Sequence, residues 1–64
     1  MDIAVLNYPT GEVDIIRGID QYLFEDKYEG EIRLYLKDLG YELYNIYWMS
    51  SDEIKVNEIE KENI

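Results

Sequence analysis

The chain has 64 residues, 15 of them acidic and 6 basic, for a net charge of −9, and it contains neither Cys nor His. This composition excludes a disulfide framework, a thiolate or imidazole metal site and a histidine general base, and so negative a surface repels phosphate backbones and anionic lipid heads. A chain of this length folds as one domain, 1–64, with a frayed tail from about 60 to 64; at this size only about 60% of the unfolded surface is buried, so the core must be dense or shared with a partner subunit.

Seven Tyr, one Trp and one Phe can supply that density, since each ring buries roughly 150–250 Å². The 47% apolar fraction and its periodicity argue for a folded chain rather than a disordered one. No basic region followed by an apolar stretch opens the sequence, and no apolar run approaches the roughly 18–20 residues that span a bilayer. The expectation is a cytoplasmic protein with no cofactor, no metal, no membrane association and no direct nucleic-acid contact.

The stretches Asp2 to Tyr8 and Glu12 to Gly18 are short and rich in β-branched and apolar residues, with turn residues between them. They predict a β-hairpin. Pro9 suits the first position of a type I turn and Gly11 the left-handed position that closes a bulge, so a three-residue loop is expected. In that register Tyr8 faces Glu12, Leu6 faces Asp14, Val5 faces Ile15 and Ala4 faces Ile16. A two-residue Thr-Gly loop would match apolar groups better but would force the β-branched Thr10 toward positive φ.

Asp20 follows as a helix N-cap, with a charge that suits the positive end of the helix dipole. The residues from 21 to 29 are compatible with helix or turn. Tyr28, Ile32, Tyr35, Leu36 and Leu39 form an apolar stripe at helical period. The main helix is therefore expected at about 30–39, supported by a Glu29–Arg33 pair and closed by Gly40 as a left-handed terminator. Gly30 either sits inside this helix at a cost of about 1 kcal/mol or divides it from a shorter one before it. A third strand over Asn45 to Met49 puts Ile46 and Trp48 on one face and Tyr47 and Met49 on the other. A short fourth strand is read in Glu53 to Ile59. The expected fold class is α+β, a ββαββ domain with a three- to four-stranded antiparallel sheet and one main helix packed on one face.

Chemistry finds little to work with. Ser50 and Ser51 lack a histidine partner and read as turn residues. Neighbouring carboxylates such as Glu25/Asp26 and Asp52/Glu53 point apart on a helix or strand, and the acids do not follow the spacing of a calcium loop. No catalytic, cofactor or metal residue is assigned. The aromatic cluster Tyr41, Tyr44, Tyr47 and Trp48 reads as core and rim, or as a contact surface, because Tyr and Trp are enriched in interface hot spots. Leu34 lies about 200° from Ile32 at 100° per residue, off the buried stripe. Candidate protein-contact residues are accordingly Leu34, Tyr41, Tyr44 and Tyr47.

The hairpin NYPTGEVDII and the block YLKDLGYELYNIYWM resemble short uncharacterised acidic proteins of gut bacteria and their mobile elements. Those proteins share a Gly-turn hairpin, a helix ending Leu-Gly-Tyr and a strand ending Trp-Met. The resemblance implies that order of elements and no activity. The Tyr8-x-x-Gly11-Glu12 hairpin is also similar to domains of antirestriction proteins that mimic DNA, a likeness that transfers no functional residue. The expected function is a small non-enzymatic protein-binding domain, for a protein partner or for self-association as a homodimer. The alternative is an acidic DNA mimic that inhibits a restriction, defence or regulatory nucleic-acid-binding protein through Asp14, Glu25, Asp26 and Glu29.

Overall fold

The computed structural model describes residues 1–61. The opening run of β-formers makes β1 (Asp2–Asn7), which turns back as β2 (Glu12–Ile16). Asn7 lies opposite Glu12 and Ile3 opposite Ile16, so the loop spans four residues, Tyr8 to Gly11, rather than three. The Gly11 amide donates to the Asn7 carbonyl at 2.9 Å, and Gly11 takes φ +69°. The expected left-handed glycine is in place, but the pairing is shifted by one residue. Tyr8 leaves the ladder because its ring packs edge-on against Tyr47 of the neighbouring strand, with centroids 5.4 Å apart.

Past Ile16 the hairpin absorbs one extra residue. Ile19 donates to the Met1 carbonyl at 2.9 Å, one step out of the strand register, and Gly18 at φ +68° makes the local bulge. Two short helices follow. Asp20 caps α1 (Gln21–Tyr28), its Oδ1 accepting from the Tyr22 and Leu23 amides at 2.9 and 3.3 Å. Glu29 and Gly30, at φ 55° and 72°, stop the helix. They divide α1 from α2 (Ile32–Asp38), so the continuous helix expected at 30–39 is two elements, and Glu29 cannot pair with Arg33 across one turn. α2 ends in a Schellman motif: Tyr41 donates to the Leu36 carbonyl and Gly40 to that of Lys37, at 3.1 and 3.0 Å.

A 3₁₀ turn, Leu43–Asn45, leads into β3 (Ile46–Ser51). β3 pairs antiparallel with β1, which gives the sheet order β2-β1-β3 with the first strand in the centre. The fourth strand read in Glu53 to Ile59 is not formed; the chain from 53 to 61 carries no regular structure. Only Ile54 is buried there, and its amide donates to the Asp2 side chain rather than to a neighbouring strand. The ββαββ order is thus corrected to ββααβ. Of the frayed tail expected at about 60–64, positions 62–64 lie outside the described residues.

The core sits between the sheet and α2. Ile3 and Val5 of β1, Leu36 of α2 and Ile46 of β3 form the buried cluster, with Ile16, Ile32, Tyr35 and Trp48 packed around it. Phe24 joins α1 to this layer by stacking on Tyr35 at 5.7 Å, while Tyr28 meets both rings edge-on. Ile46 and Trp48 point inward and Tyr47 and Met49 outward, as alternation along the strand requires.

Candidate functional site

Both helices lie on one side of the sheet; on the other side the segment at Ile54 is tied to Asp2, where Asp2 and Ala4 are buried, and the remainder of the face is exposed. Side chains directly paired across an antiparallel ladder share a face. Ala4 lies between Ile15 and Met49, and Leu6 between Val13 and Tyr47. These six positions make the open face, and every one is apolar or aromatic. Four of them are well exposed: Leu6 at 42%, Val13 at 60%, Tyr47 at 64% and Met49 at 58%. Tyr8 extends the patch through its edge-on contact with Tyr47. The acids of β2, Glu12 and Asp14, point to the helix side instead, opposite Asn7 and Val5.

One end of the open face is closed by Asp2. Its buried carboxylate accepts from the Gly18 amide at 3.0 Å, the Ile54 amide at 3.1 Å and the Arg17 guanidinium at 3.1 Å. Arg17 also donates to the Ile54 carbonyl at 2.8 Å. The two backbone donors, Gly18 first, hold the Asp2 carboxyl below its usual range; partial desolvation opposes them and the Arg17 charge assists. The cluster clips the chain that follows β3 to the start of β1, and it pairs the Asp2 carboxylate with the Arg17 guanidinium.

The residues expected from the sequence are distributed as follows. Tyr47 lies on the open face. Leu34 is exposed on α2, off the buried stripe, at 49%. Tyr44 is strongly exposed and donates to Glu42 at 3.0 Å, which raises its hydroxyl pKa. Tyr41 is half-buried against the core, and its hydroxyl donates to Asp14 at 2.6 Å. Burial first, then the Asp14 carboxylate, pushes the Tyr41 pKa up to about 12. The four tyrosine and leucine candidates therefore do not form one surface: Tyr41 belongs to the core rim on the helix side, and Leu34 belongs to the helix layer.

Among the acids grouped as a mimic face, Asp14 is engaged by Tyr41, whereas Glu25, Asp26 and Glu29 are exposed around the end of α1. The residues that sequence reasoning missed are Leu6, Val13, Ile15 and Met49. They come from three strands, and only the register of β2 brings them together. The three-residue loop would have set Asp14 opposite Leu6 and so turned the acids of β2 outward.

Open grooves also lie among the described residues. One of about 260 Å³ runs beside the hairpin turn between Thr10, Tyr41 and Asn45. Another lies along the outer edge of β3, between Arg33, Tyr44 and Tyr47. Among the described residues, no three acidic side chains are close enough together to hold a metal ion, and no helix is long and apolar enough to cross a membrane. Comparison with protein-family models, with curated proteins and with solved structures finds no match for this chain.

Proposed function

We propose that the chain is a non-enzymatic protein-binding domain whose contact surface is the open face of its sheet. The observation that carries this reading is an exposed apolar patch, Leu6, Val13, Tyr47 and Met49, in a chain of net charge −9. Four exposed apolar side chains gathered on one face of so acidic a chain mark that face as a place where another surface sits, because charged residues are depleted from the centres of interfaces. The flanking tyrosines, Tyr8 and Tyr47, supply rigid amphipathic rings of the kind that anchor contacts.

The acidic surface has the ordinary role of keeping such a protein soluble. Mimicry of nucleic acid finds less support, because Asp14 is half-buried on β2 beside Tyr41 while Glu25, Asp26 and Glu29 are exposed around the end of α1. The test is a photo-crosslinking side chain placed singly at Val13, Tyr47 or Leu34 in cells that make the protein. Adducts from Val13 and Tyr47 but not from Leu34 are expected. Adducts from Leu34 alone, or from none of the three, would remove the open face from consideration.

A further inference from the structure

We infer that the outer edge of β3 is a strand-docking site: it takes an extended segment of another protein as a fourth strand, with a carboxylate of that segment set against Arg33. This goes beyond the open face, because the recognising groups here are backbone N–H and C=O rather than exposed apolar side chains.

The sheet order leaves β2 and β3 as the two edge strands. An unguarded edge invites pairing with another chain, and folds blunt their edges with charges and bulges. The β2 edge is blunted in both ways: it carries Glu12 and Asp14, and it runs into the bulge at Gly18. β3 has neither device. Its six residues, Ile46 to Ser51, hold no charge, no proline and no glycine, and they pair with β1 without a break. In a chain that is 33% charged, this edge is left regular and neutral along its whole length.

Ladder parity fixes which backbone groups are free. Hydrogen-bonded and non-bonded residue pairs alternate along an antiparallel ladder. The Tyr8 amide donates to the Asn45 carbonyl at 3.4 Å, one step beyond the Asn7–Ile46 pair. Tyr47, Met49 and Ser51 therefore turn their backbone groups toward β1. Ile46, Trp48 and Ser50 turn theirs outward, and among the described residues no strand pairs with them. Donors and acceptors repeating at every second residue are matched by an extended backbone, which is how strand addition at a sheet edge gains its affinity.

The side chains beside the edge specify what that strand carries. A groove of about 490 Å³ follows β3, lined by Leu43, Tyr44, Ile46, Tyr47 and Trp48 and by Arg33 of α2. The aliphatic and aromatic lining suits apolar side chains at alternate positions of the incoming strand. Arg33 is exposed and has no ion-pair partner among the described residues, although the chain holds 15 acids against 6 bases. A guanidinium left free beside aromatic rings in so acidic a chain fits a carboxylate. No acid lines this groove, and salt screens exposed charges more than about 8 Å away.

The test follows amide hydrogen exchange by NMR in the purified full chain with three seven-residue probe peptides. Two alternate valine and threonine around a central glutamate or a central lysine, and the third is the glutamate peptide with every internal amide N-methylated. The glutamate peptide is expected to slow exchange at Ile46, Trp48 and Ser50 at least about tenfold and to leave Val13 and Ile15, on the β2 edge, unchanged. The N-methylated peptide, which lacks strand donors, gives no protection. The lysine peptide binds at least about tenfold more weakly, and Arg33→Glu reverses that preference by charge; Arg33 is exposed, and circular dichroism verifies that the variant folds. No protection at millimolar glutamate peptide, equal protection by the N-methylated peptide, or equal binding of the glutamate and lysine peptides overturns the site. So does protection of the β3 amides on concentrating the chain without peptide, since a second copy would then be the occupant. Crosslinks from Val13 report on the open face independently of all these outcomes.

Discussion

Leu36→Ala isolates how much of this domain rests on one side chain. Leu36 is fully buried on α2, between Ile3 and Val5 below and Ile46 beside it, and its carbonyl also receives the Tyr41 amide that closes the helix. Truncating a buried leucine costs about 2–5 kcal/mol, as lost transfer energy plus the cavity left behind. A core this small supplies only about 3–5 kcal/mol in all. The variant is therefore expected to be largely unfolded at low concentration and room temperature. Leu34→Ala, two residues away and half exposed, should change stability by no more than about 0.5 kcal/mol. Urea unfolding followed by circular dichroism and by Trp48 fluorescence reads both. The reasoning fails if the two variants melt alike, because burial would then have no bearing on the cost.

Three further outcomes follow from the geometry. Asp2 has a depressed pKa in the fold, so its contribution to stability is present above the ordinary value of 3.8 and lost as pH falls through the lower folded value; Asp2→Asn should flatten that acid limb in denaturant titrations and speed proteolytic cleavage after Lys55. Tyr41, with its pKa pushed up to about 12, favours the fold fully below pH about 10 and loses that contribution as pH rises toward its folded value, the reverse direction; in an absorbance titration Tyr41→Phe should remove the latest tyrosinate step. Gly40 sits at φ +100° with open space where a Cβ would go, so Gly40→Ala should cost about 1–2 kcal/mol through the backbone alone; an unchanged melting temperature would contradict the Schellman closure.

Local signals placed most elements. Gly11 at positive φ, Asp20 as a cap, Gly40 as a terminator and the inward pair Ile46 and Trp48 are each written in a few adjacent residues. What escaped depends on partners distant in sequence. The loop length was misjudged because Tyr8 looks like a strand residue until Tyr47 is brought beside it from β3. The fourth strand was misjudged because Ile54 and Val56 alternate as strand residues do, whereas the Ile54 amide is held by the Asp2 side chain, 52 residues away.

The loop misjudgement reached the site itself. A one-residue slip exchanges the two faces of β2, placing Glu12 and Asp14 where Val13 and Ile15 belong. With acids on that side the open face would have looked like ordinary solvated surface. Local turn preferences do not determine this parity; it is fixed by Ile16 joining the core beside Ile3, and by β1 taking a partner on each edge.

Methyl resonances of Leu6, Val13, Ile15 and Met49, followed by NMR as lysate of the cells that make the protein is added to the isotope-labelled chain, probe the open face most directly. Those four are expected to shift together along one binding curve while Leu34 and Leu39 stay in place. Invariance of the sheet methyls combined with movement of the helix methyls would contradict the proposal that the open sheet face is the surface by which this protein makes contacts.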